Sequence, residues 1–170
     1  MKRTLSFLFL AVFLAAMLTS CGLTVPRPEI KEAKFNYSVT YELNGETKTV
    51  SGVYVCEYDG TSWALDGGYT RDWKGYIEGG TDNDEVIIGA TNDGGTIILS
   101  LTLHPAYFMG EDYGATYFVP EPYLQINYPL EEGDGFSFER DEKVIEENYG
   151  AKIVSYEYDE PIANSFGLFK

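Results

Sequence analysis

From Phe35 the chain alternates strictly: Phe35, Tyr37, Val39, Tyr41 and Leu43 fall on one side, Asn36, Ser38, Thr40 and Glu42 on the other. A period of two sends successive side chains to opposite faces, so the segment predicts a half-buried strand. Asn44-Gly45 follows, the pair that best tolerates the positive φ angles of a type I′ turn, and predicts a hairpin returning along Glu46 to Tyr58. Counting through that turn sets Val39 opposite Val50, Tyr37 opposite Gly52 and Phe35 opposite Tyr54, which brings Tyr54 and Cys56 onto the apolar face.

A second hairpin is predicted over Glu85–Thr91 and Thr96–Leu103, around Asn92-Asp93-Gly94-Gly95. With Asp93-Gly94 as the central pair, Ile88 lies opposite Leu99 and Val86 opposite Leu101. Between the hairpins, Arg71–Glu78 reads as a shorter strand bracketed by Asp66-Gly67-Gly68 and Gly79-Gly80. Residues 116–128 supply another, in which Pro120 and Pro122 remove ladder donors and favour an edge or a bulge. One short helix follows, with Asp141 as its cap, Val144, Ile145 and Tyr149 on its apolar side, and Gly150 suited to the left-handed end. Lys152–Tyr158 closes the pattern as a strand, Ile153, Ser155 and Glu157 alternating with Val154, Tyr156 and Tyr158. Because a lone sheet would leave an apolar face in water, these six to eight strands predict a mainly β fold. The expected form is an antiparallel β-sandwich or partial barrel with one short C-terminal helix, in a single domain over residues 34–170.

The beginning of the chain has a different character. Lys2 and Arg3 precede an apolar stretch from Leu5 to Met17, the layout of an export signal, and the stretch falls short of the ~20 residues that span a bilayer. At its end, Leu18-Thr19-Ser20-Cys21 resembles the lipobox of bacterial lipoproteins at every position. The resemblance implies removal of residues 1–20, a diacylglycerol on the Cys21 thiol, and a mature protein anchored on the extracytoplasmic side of the bacterial cell membrane. Two acyl chains meet the condition for stable anchoring. Residues 21–33, with Pro26 and Pro28 and no hydrophobic periodicity, then read as the lipidated N-terminus and its tether. The mature domain resembles only small lipoproteins of unknown function, in its early aromatic hairpin and its late helix followed by a strand.

Charge narrows the partners. In 170 residues, 12 Lys and Arg face 27 Asp and Glu, a formal −15, and loss of Lys2 and Arg3 with the leader leaves the mature chain more acidic still. Nucleic acid is excluded as a partner, since binding its backbone needs clustered cations. A hydrophobic share of 44% sets the chain apart from disordered acidic sequences. Cys56 is left without an internal disulfide partner once Cys21 is lipidated, and reads as a small buried hydrophobe.

Catalytic signatures are missing. His104 is the one histidine, and no nucleophile elbow, paired-histidine zinc motif, Cys-x-x-Cys or phosphate loop occurs. A Cys56/His104 dyad would depend on the fold bringing the two together. A pair of carboxylates about 5–9.5 Å apart would suit an envelope glycan hydrolase, but 27 acidic residues offer too many pairs to single one out.

Two groups of residues carry possible binding chemistry. Asp82, Asp84 and Glu85, with Asn83, gather oxygen ligands in a turn as calcium sites do, although without EF-hand spacing; Glu131, Glu132 and Asp134 form a second acidic turn. Trp63, Tyr69, Trp73 and Tyr76 gather in a glycine-rich stretch among 14 Tyr and 2 Trp, and such side chains serve sugar stacking or protein recognition when they face solvent. A further aromatic group, Tyr107, Phe108, Tyr113 and Tyr117, surrounds Gly110 and Gly114. The function expected is a lipid-anchored, non-catalytic β-domain that binds a protein or glycan partner of the cell envelope. A basic protein would be drawn in by the charge, and a glycan would stack on Trp63 or Trp73. The alternatives are the carboxylate-dependent hydrolase and an accessory subunit of a membrane complex.

Overall fold

A computed structural model describes residues 25–63, 69–79, 84–111, 119–129 and 136–167. In chain order its elements are β1 (Arg27–Pro28), β2 (Glu32–Leu43), β3 (Glu46–Trp63), β4 (Tyr69–Ile77), β5 (Glu85–Ala90), β6 (Thr96–Ser100), α1 (Pro105–Phe108), β7 (Tyr123–Pro129), β8 (Phe136–Glu139), α2 (Glu142–Tyr149), β9 (Ala151–Tyr158) and β10 (Phe166–Gly167). One antiparallel sheet has the order β4-β3-β2-β9 and the other β5-β6-β7-β8, while β1 and β10 form a short ribbon. The protein is mainly β, a sandwich of two four-stranded sheets.

The first hairpin follows its sequence closely. Asn44 and Gly45 adopt φ of 53° and 80°, and the ladder pairs Val39 with Val50, Tyr37 with Gly52 and Phe35 with Tyr54. The inward residues of β2, from Phe35 to Leu43, share one core with Ile97, Leu99, Leu124 and Ile126 of the second sheet. Ile145 of α2 is fully buried in that core, and the Phe108 ring of α1 packs 4.8 Å from Phe35 and 5.7 Å from Tyr54. The tyrosines fit because glycines lie beside them: a Cβ at Gly52 would run into the Tyr37 ring, and one at Gly75 would overlap the Tyr54 hydroxyl. That hydroxyl donates to the Leu103 carbonyl at 3.0 Å.

The second hairpin departs from the expected register. Val86 pairs with Leu99 rather than Leu101, and Ile87 with Ile98, a two-residue shift of which the first step comes from a three-residue loop closed by Thr91 and Gly95. Only Gly94 in that loop has positive φ, at 91°, whereas a type I′ pair would need Asp93 there too. The Thr91 hydroxyl accepts from the Gly95 N–H at 2.7 Å and stabilises this choice. A bulge at Ile88 shifts the ladder once more.

Other expectations are corrected in detail. In β9, Ser155 pairs with Thr40 but Ile153 with Tyr41, so Val154 is an unpaired bulge and Ile153 shares a face with Tyr156 and Tyr158. Pro120 and Pro122 precede β7 instead of interrupting it, and β7 is an interior strand. The C-terminal helix is as predicted: Asp141 Oδ1 accepts from the Lys143 and Val144 N–H groups, and Gly150 ends the helix at φ 59°. A second helix, the single turn α1, was not signalled by periodicity because four residues are too few to show one.

The segment expected to be a tether is partly docked. Arg27 and Pro28 pair with β10, Asn164 bonds both the N–H and the carbonyl of Ile30, and Glu32 already belongs to β2. These contacts are made by backbone and polar groups, so they leave no hydrophobic pattern in the sequence.

Candidate functional site

The four aromatic residues singled out by sequence all lie on the β3–β4 hairpin, but they do not form one surface. Trp63 is the cross-strand partner of Tyr69 at the hairpin's far end and is 62% exposed. Trp73 pairs with Tyr58, packs edge-on against it at 5.5 Å and is partly buried against the core. Tyr76, three residues on from Trp73, belongs to the opposite face of the sheet, where its hydroxyl donates to Glu57 Oε1 at 2.8 Å.

Trp73 is held by a group that sequence reasoning missed. Its indole N–H donates to Glu111 Oε2 at 2.6 Å, while the other carboxylate oxygen takes the guanidinium of Arg71. The Glu111 side chain is 1% exposed. Arg71 also donates to the Pro26 carbonyl at 3.1 Å and lies 4.1 Å over the Phe166 ring. One carboxylate therefore ties β4 to the segment after α1, and one guanidinium ties β4 to both ends of the described chain. With both oxygens of Glu111 hydrogen-bonded, the cluster braces the fold.

The acidic turn is met only in part, since Asp82 lies outside the described residues. Asp84 Oδ2 accepts from the Leu103 N–H at 3.1 Å, and Glu85 Oε1 accepts from Gln125 Nε2 at 3.4 Å. Among the described residues no three His, Cys, Asp or Glu side chains gather as metal ligands. Asp84, Tyr76 and His104 do meet in one small cleft of about 210 Å³, with Tyr54 at its wall. Cys56 is fully buried, and burial pushes its thiol up to about 12, the reverse of an activated nucleophile. Cys21, Glu131, Glu132, Asp134, Tyr113 and Tyr117 lie outside the described residues.

A larger concavity lies elsewhere among the described residues, along the β9 edge of the first sheet. It is an open cleft of about 510 Å³ walled by Tyr37, Tyr107, Tyr156 and Tyr158. Glu157, Asp159 and Glu160 supply its charge, and among the described residues no Lys or Arg forms an ion pair with them. Strand register explains the gathering: Tyr158 is the partner of Tyr37 and Tyr156 of Val39, so the tyrosine rings lie on the same side at the sheet's margin. Asp159 is fixed by accepting from the Asn36 N–H at 2.7 Å and from Asn36 Nδ2 at 2.8 Å. Tyr158 donates to the Leu101 carbonyl at 2.9 Å, and its burial, like that of Tyr37, raises the phenol above its ordinary range. Val119 and Pro120 close the cleft, on a segment held by the reciprocal bonds of the Thr102 hydroxyl with Glu121. Phenols and carboxylates in an open site can accept hydrogen bonds, stack and attract cations.

Tyr107 is the member of this site that sequence reasoning had picked out, as part of a loop. Tyr37, Tyr156 and Tyr158 were assigned to strands, and their convergence with Glu157, Asp159 and Glu160 depends on the pairing of β9 with β2, across more than a hundred residues of chain. Comparison with protein-family models, with curated proteins and with solved structures returned no match.

Proposed function

We propose that this protein is a non-catalytic binding domain, held at the outer face of a bacterial membrane through lipidated Cys21, that takes a basic segment of an envelope protein into the tyrosine cleft. The observation that carries the reading is the cleft itself, with four tyrosines as walls and Glu157, Asp159 and Glu160 as its charge. Aromatic faces and carboxylates together suit lysine and arginine side chains, whose stems pack on rings while their charged heads reach the acids. The formal charge of −15 supports the same class of partner, since it accelerates encounter with a basic surface. A glycan stacked on Trp73 is less well supported, because that indole packs on Tyr58 and donates to Glu111.

The test is a calorimetric titration of the purified protein with a lysine-rich decapeptide and, separately, with soluble cell-wall glycans. Peptide binding at low salt that weakens several-fold at high salt, and weakens likewise in Glu157→Gln/Glu160→Gln, is the expected result. Binding of a glycan without salt dependence would replace the basic partner with a sugar. Retention of neither ligand would remove the cleft as a binding site.

A further inference from the structure

The N-terminal segment enters the fold along the part of the β3–β4 hairpin that projects beyond β2. Glu32, the first residue of β2, pairs with Glu57, and β3 runs on to Trp63 with β4 as its ladder partner. Upstream of Glu32 the chain follows this projection. The Lys31 carbonyl accepts from the Tyr58 N–H at 2.8 Å, and the Pro26 carbonyl accepts from Arg71, whose cross-strand partner is Thr61. Lys31 is thus bonded to β3 at Tyr58, and Pro26 is tied by a side chain of β4, two residues along that strand from Tyr69, the partner of Trp63.

That position is rigidly specified. The Arg71 guanidinium is bound to buried Glu111 and stacked on Phe166, so the carbonyl it holds cannot drift. Trp63 lies two residues beyond Thr61, about 7 Å along the strand. From Pro26 back to Cys21 the chain reaches at most ~18 Å when fully extended.

We infer that the Trp63 end of the β3–β4 hairpin seats in the headgroup region of the bilayer that holds Cys21, and so orients the domain on the membrane. The inference rests on the lipid-anchored reading above. Three features converge on it: a short reach from the anchor, a fixed point of attachment on β4 through Arg71, and an exposed tryptophan on the strand paired with it. Indole has an apolar body with a polar N–H, the combination that settles at membrane interfaces. The acidic charge of the chain disfavours an anionic surface, so zwitterionic lipid is the partner that fits. The strand order β4-β3-β2-β9 places the cleft at the opposite margin of the sheet, two strand spacings or about 10 Å across from the strand that carries Trp63.

The experiment uses the full-length chain expressed in a bacterium that lipidates, with the mature protein reconstituted into phosphatidylcholine vesicles, plain or carrying brominated acyl chains. Trp63 and Trp73 are the only indoles, so Trp63→Phe leaves the emission of Trp73 alone. The expected result is flotation with the vesicles, a blue shift of the wild-type emission, and quenching by brominated lipid that is lost in Trp63→Phe. Flotation without quenching, or quenching that persists in Trp63→Phe, overturns the seating and leaves the anchor standing. If the protein does not float, or floats equally well as Cys21→Ser, the anchor and the seating fall together.

Discussion

The indole N–H of Trp73 donates to Glu111 at 2.6 Å, and this contact makes a buried carboxylate the junction between β4 and the segment that follows α1. Because the same carboxylate neutralises Arg71, the three side chains should respond as a unit. Glu111→Ala is expected to lower stability by ~3–5 kcal/mol, since it strands a largely buried guanidinium. Trp73→Phe removes one hydrogen bond to a charged group and should cost less, about 1.5–3 kcal/mol. Urea unfolding of the two single variants and the double variant checks both the order and the coupling, and additive effects would contradict a shared network.

Trp63 should behave oppositely to Trp73. At 62% exposure it adds little to the packed core, so Trp63→Ala should change unfolding stability by no more than ~0.5 kcal/mol. Ile145→Ala, at a fully buried position of α2, should cost ~2–5 kcal/mol. A loss in Trp63→Ala comparable to that in Ile145→Ala would show that the hairpin end supports the core.

The ends of α2 allow a finer test. Asp141→Ala leaves the Lys143 and Val144 N–H groups without their acceptor and should cost ~1 kcal/mol. Gly150→Ala forces a side chain into φ 59° and should also cost ~1 kcal/mol, although a Cβ there meets Asn44 only at an ordinary 3.6 Å. Thermal unfolding of Gly150→Asn, which tolerates the left-handed region better than alanine, should recover part of that loss.

Stability should decline in alkali. Burial raises Cys56 from 9.0 to about 12 and holds Tyr37, Tyr54 and Tyr158 above their ordinary 10.0. In each case the unfolded chain loses its proton first, so the stabilisation is intact below pH 9 and is lost as pH rises through 9 and then 10. Urea midpoints that stay level from pH 7 to 8.5 and fall from pH 9 upward are the expected profile. A midpoint that rises over the same interval would contradict the burial of these groups.

The Cys56 thiol gives a direct check on the same burial. In the native protein it should resist a disulfide reagent at pH 8 and react fully once the chain is unfolded. The Cys21→Ser chain, in which Cys56 is the one cysteine left, should then show one titratable thiol.

Local rules were sufficient where a few adjacent residues settle the geometry. Strict alternation over Phe35–Leu43 fixed the faces of β2, Asn44-Gly45 fixed the turn and hence the register, and Asp141 with Gly150 marked both ends of α2. The same reasoning missed the second hairpin by two residues, because a one-residue difference in loop length, followed by a bulge at Ile88, is decided by Thr91 and by core packing rather than by a dipeptide. It also took residues 21–33 for a lipidated N-terminus and tether, since the backbone pairing of Arg27 and Pro28 with β10 and the bonds of Ile30 to Asn164 carry no periodic signature.

The sequence by itself determined the mainly β composition of the domain, one hairpin register, the helix caps and the acidic charge, all of which follow from neighbouring residues or from composition. Only the tertiary structure decided that Trp73 braces a buried Glu111 while Trp63 faces outward, and that Tyr37, Tyr107, Tyr156 and Tyr158 meet at one margin with Glu157, Asp159 and Glu160. The physical reason is distance along the chain: β2 and β9 are paired by the closure of a core drawn from both sheets, and no local preference of either segment specifies which residues will then stand side by side.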